Sequence, residues 1–94
     1  MAIKAKAKGS RNERKSIDYY EAKGYRCTKS GGSLGTWDVI AIGLEDILLI
    51  QSKSNRPPKK REMEIMRNFP CHPICKKVVN IWLDRISTPL IRII

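Results

Sequence analysis

Two apolar segments joined by a short turn constrain the fold of this chain more than any other feature. Residues 37–42 have the sequence WDVIAI, and the apolar run ILLI at 47–50 continues through QSK to residue 53 as the next strand, with GLED between the two segments at 43–46. Apolar runs of this length bounded by turn residues are typical of β-strands, and two of them separated by four residues predict an antiparallel hairpin. Its first strand is apolar on both faces except at Asp38.

Five further elements are predicted around this hairpin. The capping pattern Ser10-x-x-Glu13, with Ser10 as the N-cap, begins a helix that stops before Gly24. The helix covers 10–23, and the other elements are a short strand over 25–29, a helix from Pro57 or Pro58 to about Asn68, and strands over 77–83 and 90–94. The predicted order is α-β-β-β-α-β-β in a single domain spanning 1–94, in which residues 1–8 form a flexible basic arm.

Helical spacing predicts which side chains of the two helices face the core. Both sets combine apolar residues that recur about once per turn. They are Ile17, Tyr20 and Ala22 in the first helix, and Met63 and Met66, with Ile65 as a further candidate, in the second.

The chain carries a strong positive charge for its size, with 19 lysines and arginines against 9 acidic residues and a net charge of +10 on 94 residues. A polyanionic partner relieves the repulsion between these charges, and phosphate contacts release counterions, so the charge predicts nucleic acid as the partner. No apolar run is long enough to span a membrane, and the N-terminus has no apolar signal segment. We therefore expect a cytoplasmic protein without a membrane partner, associated with the nucleoid, or in the host cytoplasm if the source is viral.

A polar cluster is predicted at one end of the hairpin. The register that pairs Ile42 with Ile47 also places Asp38 opposite Gln51. Because side chains alternate between the faces of a strand, Lys53 then lies on the same face as both of them. Burying a carboxylate in an apolar strand is costly unless the charge is paired or binds a metal.

The cluster has the composition of a hydrolytic metal site. Carboxylate and amide oxygens, here those of Asp38 and Gln51, suit Mg²⁺ or Mn²⁺, and the backbone carbonyl of Ser52 is a candidate third ligand. A nearby lysine such as Lys53 can orient water or stabilise charge on a phosphate, and a bound metal can activate water for phosphodiester hydrolysis. The alternative interpretation is that Asp38 merely starts a strand whose partner ends in solvent.

Motif residues across the first half of the chain resemble those of archaeal Holliday-junction resolvases, members of the PD-(D/E)xK nuclease superfamily. The matching pieces are Lys8-Gly9-x-x-x-Glu13-Arg14, Gly24-Tyr25, 29–33, 38–41 and Gln51-Ser52-Lys53. The resemblance covers residues 8–54 closely and the remainder in element order. It implies an α/β, restriction-endonuclease-like α-β-β-β-α-β core with a mixed central sheet flanked by helices. It also implies a Mg²⁺-dependent homodimer that cuts branched or duplex DNA without a small-molecule cofactor.

The resemblance assigns a role to each matching residue. Asp38, Gln51, Ser52 and Glu13 would hold the metal, and Lys53 would be the motif lysine. Ser33 would lie in a mobile loop beside the scissile phosphate. Phosphate contacts are implied for Arg11, Arg14 and Lys29. Further candidate DNA contacts are Lys8 and Ser30, which lie within the matching pieces, and the basic residues Arg56, Lys59 and Lys60.

Two features keep alternatives open. Gln51 stands where the family usually has Glu or Asp, and a neutral amide holds Mg²⁺ less strongly. The Gln-x-Lys pattern resembles an active branch of modification-dependent restriction endonucleases, but it also favours a nuclease-fold DNA-binding module with little or no activity. Glu13 is equally explained as the partner of Ser10 in a capping box.

The segment Cys71-His72-Pro73-Ile74-Cys75 invites a zinc interpretation. It offers three potential ligands, and no second pair stands at ligand spacing elsewhere in the sequence. The three cysteines of the chain are an odd number, which favours reduced thiols over a disulfide framework. We therefore expect Cys71 and Cys75 to be small buried thiols.

Overall fold

A computed structural model describes residues 2–30 and 36–94, and describes the side chains from residue 11 onward within those ranges. The predicted element order is confirmed. The elements are α1 (Ala2–Glu21), β1 (Arg26–Lys29), β2 (Val39–Ile42), β3 (Ile47–Ser54), α2 (Lys60–Asn68), β4 (Cys75–Trp82) and β5 (Leu90–Ile93). Strand bounds differ from the predicted ones by at most two residues.

The five strands form one mixed sheet in the order β1-β2-β3-β4-β5. Strands β3 and β4 are parallel, and every other neighbouring pair is antiparallel. Parallel neighbours need a long crossover, which α2 supplies between β3 and β4. The predicted α/β class, with a mixed sheet flanked by helices, is therefore confirmed at this level. Within the described ranges, neither helix has both the length and the apolar composition needed to cross a bilayer.

Each helix covers one face of the sheet. On the α1 face, Tyr20 packs with Val39 and Ile50 in a buried cluster. On the opposite face, Met63 and Met66 of α2 pack in a second cluster that includes Leu49. Because Leu49 and Ile50 are adjacent in β3, their opposite directions show that the central strand is buried on both sides, as its continuous apolar sequence requires.

The hairpin register is the predicted one. Ile42 pairs with Ile47 and Val39 pairs with Ile50, while the Gly43 N–H donates a hydrogen bond of 2.8 Å to the Asp46 carbonyl in the turn. The regular pairing ends at Val39 and Ile50. The Asp38 N–H donates to the same Ile50 carbonyl at 2.8 Å, and Trp37 packs in one cluster with Ile40 and Leu49, so the strand alternation is interrupted at Asp38. The predicted pairing of Asp38 with Gln51 lies outside the paired residues and stays a prediction.

Helix α1 begins at Ala2 rather than at Ser10. The prediction that Ser10 is the N-cap is wrong, because Ser10 lies inside the helix. Residues 2–8, predicted to form a basic arm, are its first turns, since alanine and lysine favour helices and their alternation contains no breaker before Gly9. Ala22, predicted to face the core, lies beyond the helix end and is exposed.

The phase of α2 is only partly as predicted. Met63 and Met66 are buried, whereas Ile65 is 52% exposed. The prediction that Ile65 faces inward is therefore wrong. Met63 and Met66 are three residues apart and share a helix face. Ile65 directly precedes Met66, so its side chain is rotated by about 100° around the helix axis and points away from the sheet.

This difference gives a stability prediction. We expect Met66→Ala to destabilise the fold by about 2–4 kcal/mol, because it leaves a cavity in a fully buried cluster. Ile65→Ala is the matched control on the same helix and should change stability by about 0.5 kcal/mol or less. Urea unfolding monitored by tryptophan fluorescence measures both values. Equal losses in the two variants would contradict this packing of α2.

A partly buried contact joins the hairpin turn to the segment between α1 and β1. The Tyr25 hydroxyl donates to the Asp46 carboxylate at 2.8 Å, and Lys76 forms an ion pair with the same carboxylate at 3.1 Å. The hydrogen bond from Tyr25 and then that from Lys76 lower the pKa of Asp46 below its ordinary value. A carboxyl whose folded pKa is depressed stabilises the fold above its unfolded pKa of about 3.9, and this stabilisation is lost as the pH falls through the folded pKa.

We therefore expect Tyr25→Phe to raise the pKa of Asp46 toward its ordinary value, because the largest cause of the depression is removed. An NMR titration of the side-chain carboxyl carbons from about pH 7 down to about pH 2 measures this pKa. Tyr19→Phe is the control and should leave the titration unchanged. An unshifted Asp46 in Tyr25→Phe would show that the hydroxyl contact does not form in solution.

Candidate active site

Asp38 is held in place by three hydrogen bonds at the start of β2. Its N–H donates to the Ile50 carbonyl at 2.8 Å, and its carbonyl accepts the Ser30 N–H at 3.0 Å. Its carboxylate oxygen Oδ2 accepts the Ser52 N–H at 2.9 Å. The carboxylate is therefore fixed by the neighbouring strand backbone on one side, while its other oxygen keeps its capacity to bind.

The surroundings of Asp38 favour a cation. Partial burial raises the pKa of its carboxyl above the ordinary value, and the Ser52 N–H and the Lys53 charge oppose that rise. Desolvation is thus the largest influence on this pKa. The hydrogen bond and the positive charge next to the ionised carboxylate therefore do not fully replace the water that it loses on burial. A divalent ion at this carboxylate would supply the missing compensation.

Gln51 presents a buried oxygen to the same region. Its amide nitrogen Nε2 donates to the Thr36 carbonyl at 3.1 Å and to the Thr36 hydroxyl at 2.9 Å. A carbonyl can only accept, so these contacts fix which end of the amide is nitrogen. Gln51 is 7% exposed, and its oxygen Oε1 is buried without a hydrogen-bond partner among the described residues. Leaving such an oxygen unsatisfied costs about 1–3 kcal/mol, which a ligand at this oxygen would offset.

Lys53 forms an ion pair with a residue that sequence analysis did not select. Its Nζ lies 2.7 Å from Oε2 of Glu62 in α2. The other carboxylate oxygen of Glu62 accepts the N–H of Lys59, the N-cap of that helix, at 3.1 Å. The Lys53 ammonium first, and then the Lys59 N–H, lower the pKa of Glu62 below its ordinary value.

Strand β3 brings the predicted cluster together. Leu49 packs in the cluster on the α2 face, so strand alternation places Gln51 and Lys53 on that face as well. Asp38 lies just before the paired residues of β2, and its carboxylate reaches β3 through the hydrogen bond from the Ser52 N–H. The charge of Lys53 acts on the Asp38 carboxylate, which is consistent with their proximity.

The other predicted site residues are Glu13, Ser52 and Ser33. Glu13, in α1, forms an ion pair with Lys29 at 3.9 Å, and among the described residues no hydrogen bond or ion pair joins it to Asp38, Gln51 or Lys53. The capping role of Glu13 with Ser10 is wrong, because the helix starts earlier. Ser52 contributes its N–H to the Asp38 carboxylate. Ser33 lies outside the described residues.

Behind Ser52, a buried polar network joins α1 to the sheet. The Ser16 hydroxyl oxygen accepts the Trp82 indole N–H at 3.0 Å and the Asn80 amide N–H at 3.3 Å. Because these two bonds occupy both lone pairs of Ser16, its own proton is donated to the Ser52 hydroxyl at 2.7 Å. The segment of β3 that carries Gln51 and Lys53 is therefore hydrogen-bonded, through the Ser52 hydroxyl, to the helix on the opposite face of the sheet, α1.

The network extends one helical turn in each direction from Ser16. The Tyr20 hydroxyl donates to the Asn80 amide oxygen at 2.9 Å, and the Asn12 amide donates to the Ser54 hydroxyl. Sequence analysis missed this network, although the spacing of Asn12, Ser16 and Tyr20 by four residues places all three on one helix face. Polar side chains at such spacing are usually assigned to solvent, and here they are buried.

The predicted DNA contacts are mostly exposed. Six of them have exposed side chains, namely Arg11, Arg14, Lys29, Arg56, Lys59 and Lys60. Arg14 forms an ion pair with Asp18 at 3.6 Å. Ser30 is half-buried, and its hydroxyl donates to the Trp37 carbonyl. The Lys8 side chain lies outside the described part of the chain.

Strand direction sets the position of several basic residues relative to Asp38. Lys29 ends β1 and pairs with Val39 at the start of β2, so it lies at the Asp38 end of the sheet. Because β3 runs antiparallel to β2, its carboxyl end, followed by Arg56 and Lys59, is at that same end. A positively charged rim therefore borders the polar cluster.

The cysteine segment lies away from this cluster. Cys71 is exposed and Cys75 is half-buried at the start of β4, so the prediction of two buried thiols is wrong for Cys71, which lies in the loop before the strand. The His72 Nδ1 accepts the Ile74 N–H at 3.1 Å. In the described parts of the chain, no group of three or more histidine, cysteine or acidic side chains is arranged to hold a metal ion.

The oxygens of the polar cluster nevertheless fit a hard divalent cation. The buried Gln51 oxygen has no hydrogen-bond partner among the described residues, and the partly desolvated Asp38 carboxylate is bound to the N–H of the next residue, Ser52. An amide oxygen is a ligand for Mg²⁺ or Mn²⁺ but does not count toward a cluster of acidic side chains. The donor set is therefore one carboxylate assisted by neutral oxygens.

Comparison of the sequence with family models finds no match, and comparison with curated proteins finds no relative. The resemblance to resolvases thus depends on the motif residues and their spacing. The proximity of Asp38 to the Gln51–Lys53 segment is independent of that resemblance, because the Ser52 N–H donates to the Asp38 carboxylate.

Proposed function

We propose that this protein is a metal-dependent DNA endonuclease that hydrolyses phosphodiester bonds and is selective for DNA structure. The observation that carries the proposal is the buried oxygen of Gln51, which has no hydrogen-bond partner among the described residues and lies one residue from Ser52, whose N–H binds the Asp38 carboxylate. A merely structural polar cluster is expected to satisfy its buried oxygens internally. The proposed fold is the restriction-endonuclease-like core of the PD-(D/E)xK superfamily.

The residues of the cluster divide the chemistry among them. Asp38, Gln51 and the backbone carbonyl of Ser52 would hold Mg²⁺, with Mn²⁺ as a substitute. When bound, the ion would polarise the phosphate and lower the pKa of an attacking water. The Lys53 ammonium would donate hydrogen bonds to that water and to the phosphate, because it has three protons and Glu62 accepts one of them. Glu13 stays a proposed contributor from α1 on the evidence of the motif alone.

The basic rim suits a DNA substrate. Exposed Lys29, Arg56 and Lys59 lie at the Asp38 end of the sheet and would bind phosphates on either side of the cleaved bond. Phosphate contacts position the duplex without reading bases, so recognition would follow the shape of the DNA. We extend the proposal to branched DNA and a homodimer, since two sites related by a twofold axis could cut paired strands.

A second candidate function is DNA binding without cleavage. Gln51 favours it, because the neutral amide leaves Asp38 as the sole carboxylate of the Asp38–Gln51–Lys53 cluster. The two candidates share the basic rim and differ in metal-dependent hydrolysis.

Cleavage of a labelled four-way junction and of the matching linear duplex separates the candidates. Each DNA is incubated with the full chain in Mg²⁺, Mn²⁺ or EDTA. Symmetric junction cuts that require the metal are the expected result. Cleavage of both DNAs at equal rates would keep the nuclease and remove the preference for junctions. Tight, salt-dependent binding without cleavage in either metal would overturn the enzyme proposal.

A further inference from the structure

Glu62 is a charged neighbour of the candidate site that belongs to none of the motif residues. Its carboxylate lies 2.7 Å from the Lys53 ammonium, and both side chains are about one-third exposed, at 33% and 30%. Exposed ion pairs are usually weak because two flexible side chains must be ordered and solvent screens the charges. This pair differs, because one partner is already anchored.

The anchor is the start of α2. Oε1 of Glu62 accepts the Lys59 N–H at 3.1 Å, so Oε2 is held in a fixed direction from the helix terminus. The buried side chains of Met63 and Met66 fix that helix against the sheet. The position of the Lys53 ammonium is therefore set by two packed elements, β3 and α2, through Glu62.

The charges at the site make this anchoring relevant. Without a fixed partner, the Lys53 ammonium would be drawn toward the oppositely charged Asp38 carboxylate, which is bound to the N–H of the adjacent Ser52 at 2.9 Å. An ion pair between those two groups would compete with a metal ion for Asp38. Glu62 offers Lys53 a separate negative partner in α2, which leaves the Asp38 carboxylate available.

We propose that Glu62 is a positioning residue of the site, which holds Lys53 in the reactive direction and keeps its ammonium off Asp38. This inference rests on the proposed nuclease function. It assigns to Glu62 no contact with the DNA or the metal.

The test compares three variants of the full chain on the DNA that the wild-type protein cleaves. Glu62→Gln removes the charge but keeps an oxygen for the Lys59 N–H, and Glu62→Asp keeps the charge on a shorter side chain. Glu64→Gln, an exposed position on the same helix, makes the same change in net charge. We expect Glu62→Gln to lower kcat by about tenfold to a hundredfold, with KM for DNA unchanged or lower, because misplacing one group by about 1 Å has an effect of this size. Glu62→Asp should recover part of the loss, and Glu64→Gln should match the wild type.

A double-mutant cycle separates positioning from general destabilisation. In a Lys53→Ala background, Glu62→Gln should reduce kcat no further, because Glu62 acts through Lys53. Independent losses in the two backgrounds, or wild-type kcat in Glu62→Gln, would overturn the inference while cleavage by the wild-type protein upholds the nuclease. A wild-type protein that cleaves neither DNA would overturn the proposed function itself, and the inference with it.

Discussion

Replacing Asp38 with asparagine is expected to abolish metal-dependent cleavage while the fold becomes slightly more stable. The asparagine carbonyl oxygen can still accept the Ser52 N–H, so the strand end keeps its geometry. It lacks the charge that holds the cation. Several kcal/mol of charge stabilisation, at about 1.4 kcal/mol per factor of ten, predicts a loss of about 10³-fold in cleavage rate.

The stability effect of Asp38→Asn has the opposite sign for a physical reason. Burial raises the pKa of the Asp38 carboxyl, so the ionised form is less favourable in the folded protein than in the unfolded chain. Folding stability from this group therefore falls as the pH rises from the unfolded pKa through the folded pKa, and the neutral amide avoids that loss at neutral pH. Circular dichroism should record a higher Tm together with lost cleavage.

Asp84→Asn is the control for this experiment, because Asp84 is exposed in the β4–β5 connection. It should change neither cleavage nor Tm. Full cleavage by Asp38→Asn would place the catalytic centre elsewhere. A large fall in its Tm would show that the charged carboxylate has a structural role instead.

The second large effect is expected from Ser16→Ala. The substitution removes the acceptor shared by the Trp82 indole and the Asn80 amide, and both donors are buried. Each unsatisfied donor costs about 1–3 kcal/mol, so we expect a loss of about 2–4 kcal/mol in the free energy of unfolding. Urea denaturation measures this loss.

A matched pair of controls makes the cause specific. Ser87→Ala removes an exposed hydroxyl and should change stability by about 0.5 kcal/mol or less. Trp82→Phe should cost less in the Ser16→Ala background than in the wild type, because it deletes one of the orphaned donors. Equal costs in the two backgrounds would contradict the hydrogen bond between the indole and Ser16.

The hairpin could be predicted because the information is local. The apolar runs and the turn at 43–46 fix the register that pairs Ile42 with Ile47 and Val39 with Ile50. Hydrogen-bonding capacity then indicated a cation site. The Lys53–Glu62 ion pair could not be read in this way, since it depends on how α2 packs back on the sheet after the chain has passed Pro57 and Pro58.

Helix α1 was the least predictable element. The capping pattern at Ser10 was a local signal that was outweighed by the favourable helix propensity of the preceding alanines and lysines. Its buried face was missed because Asn12 and Ser16 are residues that usually face water. Their partners, such as Asn80 in β4, are distant in sequence, and no local pattern connects them.

Apart from Glu13 in α1 and Lys29 in β1, the residues of the proposed site come from one continuous stretch of chain, from Asp38 in the hairpin to Glu62 in α2. The entropy of closing the loops within such a stretch is small, so we expect its contacts to form early in folding. The bonds from Ser16 to Asn80 and Trp82 span 64 and 66 residues, and we expect them to form later. The stretch that carries most of the proposed site would then be formed first, and the packing of the two ends of the chain would complete it.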